Sequence, residues 1–161
     1  MYLDALSFLD DERDAWRPYE ALLELSDDEL SRPVPEAHGW SGRDLIAHLV
    51  GWQLVALDIA RELAVNETST TLAQVDADWE ARGGEVINDE IRADWQTRSI
   101  GEVRDEFVRV AGELRGYLTV VPESRWIKNS VHQRAFTDET LDHYDEHRPD
   151  LEAILKAARG G

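Results

Sequence analysis

The sequence contains no cysteine. Disulfides, thiolate nucleophiles and cysteine-ligated zinc or iron–sulfur centres are therefore excluded. Basic charge is scarce: 17 Lys and Arg stand against 34 Asp and Glu, a formal net charge of −17. Such a field repels a phosphate backbone, so nucleic acid is not an expected partner. Anionic membrane surfaces are disfavoured for the same reason. The acidic residues are spread along the chain rather than gathered in a tail, which reads as a solvated, solubilising surface. No run approaches the ~18 apolar residues that span a bilayer. The N-terminal stretch lacks both a basic region and a long apolar run, so it does not read as a signal peptide. By elimination, a soluble cytoplasmic protein is expected. Strand-like alternation is nearly absent too, confined to residues 126–131.

What remains is helical periodicity in a chain of 161 residues with six Trp, enough for one domain over residues 1–161 with a substantial core. A first helix is predicted over residues 3–25 from Leu3, Leu6, Leu9, Trp16, Tyr19, Leu22 and Leu23, with a kink or break at Pro18. Residues 26–30 read as a capped turn, and Pro33 and Pro35 keep residues 31–40 extended. A second helix starts at Ser41, whose hydroxyl can cap it while Asp44 favours its positive end, and it ends near Asn66. A third helical region covers residues 72–96 and is interrupted at Gly83-Gly84. A fourth covers residues 100–118, capped by Ser99 and closed by Pro122. A loop over residues 123–136 leads to a last helix over residues 137–158, with a bend just after His147 caused by Pro149. Four long amphipathic helices read as an all-α four-helix bundle, an architecture that builds metal sites from inward-facing side chains.

Among the five histidines, His143-Tyr-Asp-Glu-His147 carries the most information. Residues four apart share one helix face, so two imidazoles there can converge on one metal at roughly 2.0–2.1 Å each. The pair also lies on an apolar stripe with Phe136, Thr140, Leu151 and Ile154. His48 has the same property, between Leu45, Leu49 and Trp52. A buried imidazole without a partner is costly, and one metal would satisfy all three. A core histidine bonded to a backbone carbonyl is the competing reading for His48.

The segment Gly39-Trp-Ser-Gly-Arg-Asp-Leu-Ile-Ala-His-Leu49, together with the distant histidine pair, resembles the DinB/YfiT-like superfamily. That superfamily includes the N-terminal domain of mycothiol-dependent maleylpyruvate isomerase and the ClbS/DfsB-type proteins. The resemblance covers essentially the whole chain. It implies an up-down-down-up four-helix bundle with His48, His143 and His147 on one divalent cation (zinc, nickel, iron or manganese). It also implies use of a low-molecular-weight thiol such as mycothiol or bacillithiol, and so a thiol transferase or a hydrolase in detoxification or resistance. The isomerase carries a further C-terminal domain and a Glu where this chain has His143, so maleylpyruvate isomerisation is not expected.

Since the chain has no thiol of its own, any thiol chemistry needs a small-molecule thiol. A three-histidine site can also activate water. Trp40 and Trp52 are candidates to line a pocket mouth, Asn88 to face the site, and His132 and Arg134 to orient an anionic group. Asp44 is a candidate second acceptor behind His48, with helix capping as its other role; His38 reads as solvated. A non-catalytic small-molecule-binding bundle and a purely structural one are the competing classes. A homodimer is the expected assembly.

Overall fold

Ser41 starts the central element of the protein. In a computed structural model that describes residues 1–160, its hydroxyl accepts from the backbone N–H of Asp44, and its own N–H donates to Asp44 Oδ2. This reciprocal cap opens helix α3 (Gly42–Val65), which runs unbroken to Asn66, as the sequence predicts. Helix α1 (Ala5–Trp16) precedes it, and helix α2 (Asp27–Ser31) forms the capped turn expected after Ser26. Then come α4 (Thr70–Arg82), α5 (Gly84–Gln96) and α6 (Ile100–Val120). The C-terminal region comprises α7 (Ser130–Thr137), α8 (His143–Glu146) and α9 (Arg148–Gly160). All regular structure among the described residues is helical, and none of these helices is long and apolar enough to cross a membrane.

Helix α3 packs most extensively on α6 and also touches α2, α4, α5 and α9. Its apolar residues feed two core clusters. One gathers Trp16, Tyr19, Phe107 and Tyr144; the other gathers Phe8, Trp126 and Phe136. Gly51 permits the close approach of α5, since a Cβ there would lie 2.5 Å from Ile91 Cγ2. Gly83 separates α4 from α5 with φ +84°, a conformation that side chains resist.

Four expectations are corrected. The first helix is α-helical only to Trp16 and continues through Pro18 as a 3-10 helix over Arg17–Glu24. Its buried face is Phe8, Glu12 and Trp16, while Leu3 and Leu6 are exposed, because Asp4 caps the helix and leaves Leu3 outside it. Residues 126–131 form no strand. Helix α7 occupies the end of the predicted loop, capped by Asn129, whose side chain accepts from the N–H of His132. Its buried face includes His132 and Gln133, which apolar periodicity does not register. The last helix is also subdivided: a π-helical turn (Asp138–Asp142) joins α7 to α8, and in place of a bend just after His147 there is a full break at His147 between α8 and α9.

Candidate metal centre

His48 lies well inside α3 and is 6% exposed. His143 opens α8, and His147 follows its last residue. The N–H of His147 still donates to the carbonyl of His143, at 3.1 Å, so one α-turn separates the pair. One ring nitrogen from each of the three histidines lies within 4.8 Å of the others. The ring centroids are 4.7 Å apart for His48–His143, 4.6 Å for His48–His147 and 5.5 Å for the pair on the last segment. Trp40 stacks on His147 at 5.5 Å and an interplanar angle of 20°, and its ring lies 5.1 Å from that of His48.

Burial, with the neighbouring His143 and His147 as further causes, pushes the His48 imidazole down to about 3. Burial and His147 push His143 down to about 4. Both are therefore neutral at physiological pH, the form that ligates metal. His143 Nδ1 is buried without a hydrogen-bond partner. His147 differs: its Nδ1 lies 2.9 Å from Asp150 Oδ2.

A cavity of about 480 Å³ opens beside His143. The indoles of Trp52 and Trp79 form part of its wall, and the acidic side chains of Asp76, Asp138, Glu139, Asp142 and Glu146 form much of the rest. Burial pushes the Glu139 carboxyl up to about 8, with the charges of Asp138 and Asp76 adding to the shift, and its Oε2 has no partner.

The other candidate residues are placed as follows. Trp52 Nε1 donates to Asn88 Oδ1 at 2.8 Å, so Asn88 holds the indole at the cavity wall. Arg134 pairs with Asp138 at 3.0 Å and lines an adjoining cleft that shares Asp76 and Asp138 with the first. His132 is turned away from both, its Nδ1 2.5 Å from the carbonyl oxygen of Arg125. Asp44 bonds to Ser41, Arg92 and Gln96. Burial alone would raise its carboxyl, but the Ser41 N–H and the Arg92 guanidinium outweigh it and hold it low. Its role is the helix cap. His38 is exposed but contacts Asp150 Oδ1 at 3.4 Å.

Sequence reasoning missed Trp79, Asp76, Glu139 and Asp150. For Asp150 a signal existed, since a carboxylate three residues after a candidate ligand lies within reach of its ring. Glu139 had none, because its proximity to Asp76 depends on how two distant helices pack.

Residues 11–145 match the family of the mycothiol maleylpyruvate isomerase N-terminal domain. The chain belongs to that family. The matched segment includes His48 and His143 and ends two residues before His147. No curated protein and no solved structure matches the chain.

Proposed function

We propose that His48, His143 and His147 hold one divalent cation (zinc, nickel, iron or manganese). On this reading the domain is a metal-dependent transferase acting with a thiol of the mycothiol or bacillithiol type, or a hydrolase, in detoxification or resistance. The observation that carries it is the convergence of three ring nitrogens within 4.8 Å. Two of the imidazoles are driven neutral by burial, and one carries an unpartnered buried nitrogen. Such a nitrogen is costly to bury and suits a cation that takes its lone pair. Membership of a family named for a mycothiol-dependent isomerase supports the thiol.

A cation held there would supply Lewis acidity to a thiol or water. The protein's own groups do the rest. Trp40 lies over His147 and His48 and shields that side from water. Glu139 keeps its proton at neutral pH on the cavity wall it shares with His143, so it can give that proton to a departing group and take it back. The carboxylate-rich wall repels anions, which favours a neutral or cationic substrate over a dicarboxylate such as maleylpyruvate. Trp52, held by Asn88, offers that substrate an aromatic face. Arg134 extends the binding region into the adjoining cleft, while His132 ties α7 to the carbonyl of Arg125 and does not line it. The proposal includes an up-down-down-up arrangement of α1, α3, α6 and the α7–α8 segment, a cytoplasmic location and a homodimer. The cavity's size also favours a second reading, a non-catalytic binder of small molecules.

The test is elemental analysis of untagged protein purified without chelator, beside a variant with His48, His143 and His147 all replaced by Ala. Near-stoichiometric metal that disappears in the variant is the expected result. No metal in either protein, even after incubation with zinc or nickel, would sink the metalloprotein reading. Thiol-dependent consumption of an electrophile then separates the enzyme from the binder.

A further inference from the structure

We infer that Asp150 is a positioning residue for this centre: its carboxylate fixes the tautomer and the ring angle of His147. The inference rests on the metal reading above.

Asp150 is 4% exposed, and a carboxylate that deep needs partners. Its partners are two imidazoles. Oδ2 lies 2.9 Å from His147 Nδ1, and Oδ1 lies 3.4 Å from His38 Nε2. A carboxylate facing Nδ1 keeps the proton on that nitrogen and leaves the Nε2 lone pair free for a cation. The same contact strengthens the imidazole as a donor. Trp40 stacks on the ring, so His147 is restrained both in its plane and on its face.

The restraint falls where the backbone provides least. His147 sits at the break between α8 and α9, with φ −96° and ψ 6°. Pro149 follows within the first turn of α9, where its missing N–H is not needed. The proline therefore ends one helix and begins the next without costing an interior hydrogen bond, and it delivers Asp150 to the ring of His147. The loop that carries Trp40, turned by the left-handed conformation of His38, φ 60°, brings the exposed His38 ring within 3.4 Å of the far oxygen.

A rival role exists. Asp150 lies in the first turn of α9, where any acidic residue stabilises a helix. That role would lower stability on mutation without touching metal affinity or the state of His147.

The experiment uses the full chain and two variants, Asp150→Ala and Asp150→Asn, with folding checked by circular dichroism. Zn²⁺ affinity is measured by competition with a chromogenic chelator. The His147 tautomer is read in metal-free protein by long-range ¹H–¹⁵N correlation. We expect Asp150→Ala to weaken Zn²⁺ binding by about 10–100-fold and to release His147 from the Nδ1–H form. Asp150→Asn keeps a neutral acceptor oxygen and should fall between. Wild-type affinity and an unchanged tautomer in Asp150→Ala overturn the inference, and a lower melting temperature alone assigns Asp150 to the helix start. A wild-type protein that takes up no Zn²⁺ overturns the metal reading and this inference with it. Should Asp150→Ala fail to fold, the Asp150→Asn protein decides by the same two readouts.

Discussion

His48 stands inside an uninterrupted helix of 24 residues, whereas His143 and His147 stand on a segment that changes form repeatedly. The two regions bring imidazoles to the same point by different means. In α3 the position follows from helix geometry, a reciprocal cap at Ser41 and apolar contacts along most of the helix. In the C-terminal segment, α7 gives way to a π-helical turn at Asp138–Asp142, a form that recurs at functional sites. There the hydroxyl of Thr140 bonds back to the carbonyl of Phe136 at 2.7 Å, an arrangement that bends helices. Polar tethers then fix what the backbone leaves loose. The Tyr144 hydroxyl donates to Glu12 Oε1 at 2.8 Å and accepts from Gln53 Nε2 at 2.8 Å. The Tyr19 hydroxyl donates to the carbonyl of Tyr144. A regular helix can hold a ligand by shape alone, but an irregular segment needs side chains to pin it from outside.

The largest effect expected from this contrast is at Arg115. Its Nε lies 2.5 Å from Glu12 Oε2, and Glu12 is 1% exposed. Burial raises the Glu12 carboxyl, and Arg115 and Tyr144 oppose that rise. Arg115→Ala leaves a buried carboxylate without its counter-charge, at a cost of roughly 3–5 kcal/mol. It also loosens the anchor of Tyr144, the residue next to His143. Urea unfolding measures the first consequence and Zn²⁺ titration the second. Large destabilisation with unchanged Zn²⁺ affinity would break the claim that polar tethers position the ligand pair.

The sequence makes the first region far more legible than the second. Ser41, Asp44 and the stripe through Leu45, His48, Leu49 and Trp52 are local signals that define α3 to its last residue, because cap chemistry and period act within a few residues. The histidine pair is visible by the same kind of spacing, and Pro149 signals an interruption next to His147. The start of α7 was not. Its buried face contains Gln133, which bonds to the backbone of Tyr2 and Ile127, and His132, which bonds to Arg125. A polar residue buried on backbone carbonyls, whether six or seven residues back or at the far end of the chain as for Gln133 and Tyr2, looks like a surface residue when read alone. Glu12 misleads in the same way, because Arg115 lies about a hundred residues away. The apolar framework is written locally; the polar tethers and the carboxylate wall exist only once the helices meet.

A smaller effect tests the π-helical turn directly. Glu139 stands in it with a carboxyl raised by burial to about 8 from an ordinary 4.5. Between those values the folded protein holds a proton that the unfolded chain has released. The sign follows: the contribution is fully present below about 4.5 and is lost as pH rises to about 8. Metal-free protein should therefore become easier to unfold across that window, by a few kcal/mol at most. Glu139→Gln, neutral throughout, should flatten that dependence while α3 remains intact by circular dichroism. A variant whose pH profile parallels the wild type would show that the turn does not hold a protonated carboxyl.

The smallest effects come from the two caps, and they sharpen the contrast most cleanly. Ser41 caps α3 and Asn129 caps α7, each accepting a backbone N–H through its side-chain oxygen. Replacing either with Ala should cost about 0.5–2 kcal/mol in urea unfolding. Their consequences at the centre should differ. Helix α3 has 24 residues held along both core clusters, so fraying its first turn leaves His48 in place. Helix α7 has eight residues and leads straight into the π-helical turn before His143, so losing its cap is transmitted to the ligand pair. Zn²⁺ affinity should hold in Ser41→Ala and weaken several-fold in Asn129→Ala at comparable loss of stability. Equal affinities in the two variants would mean that the irregular segment is as rigidly placed as the regular helix. Its polar tethers would then fix the ligands independently of the helix that leads into them.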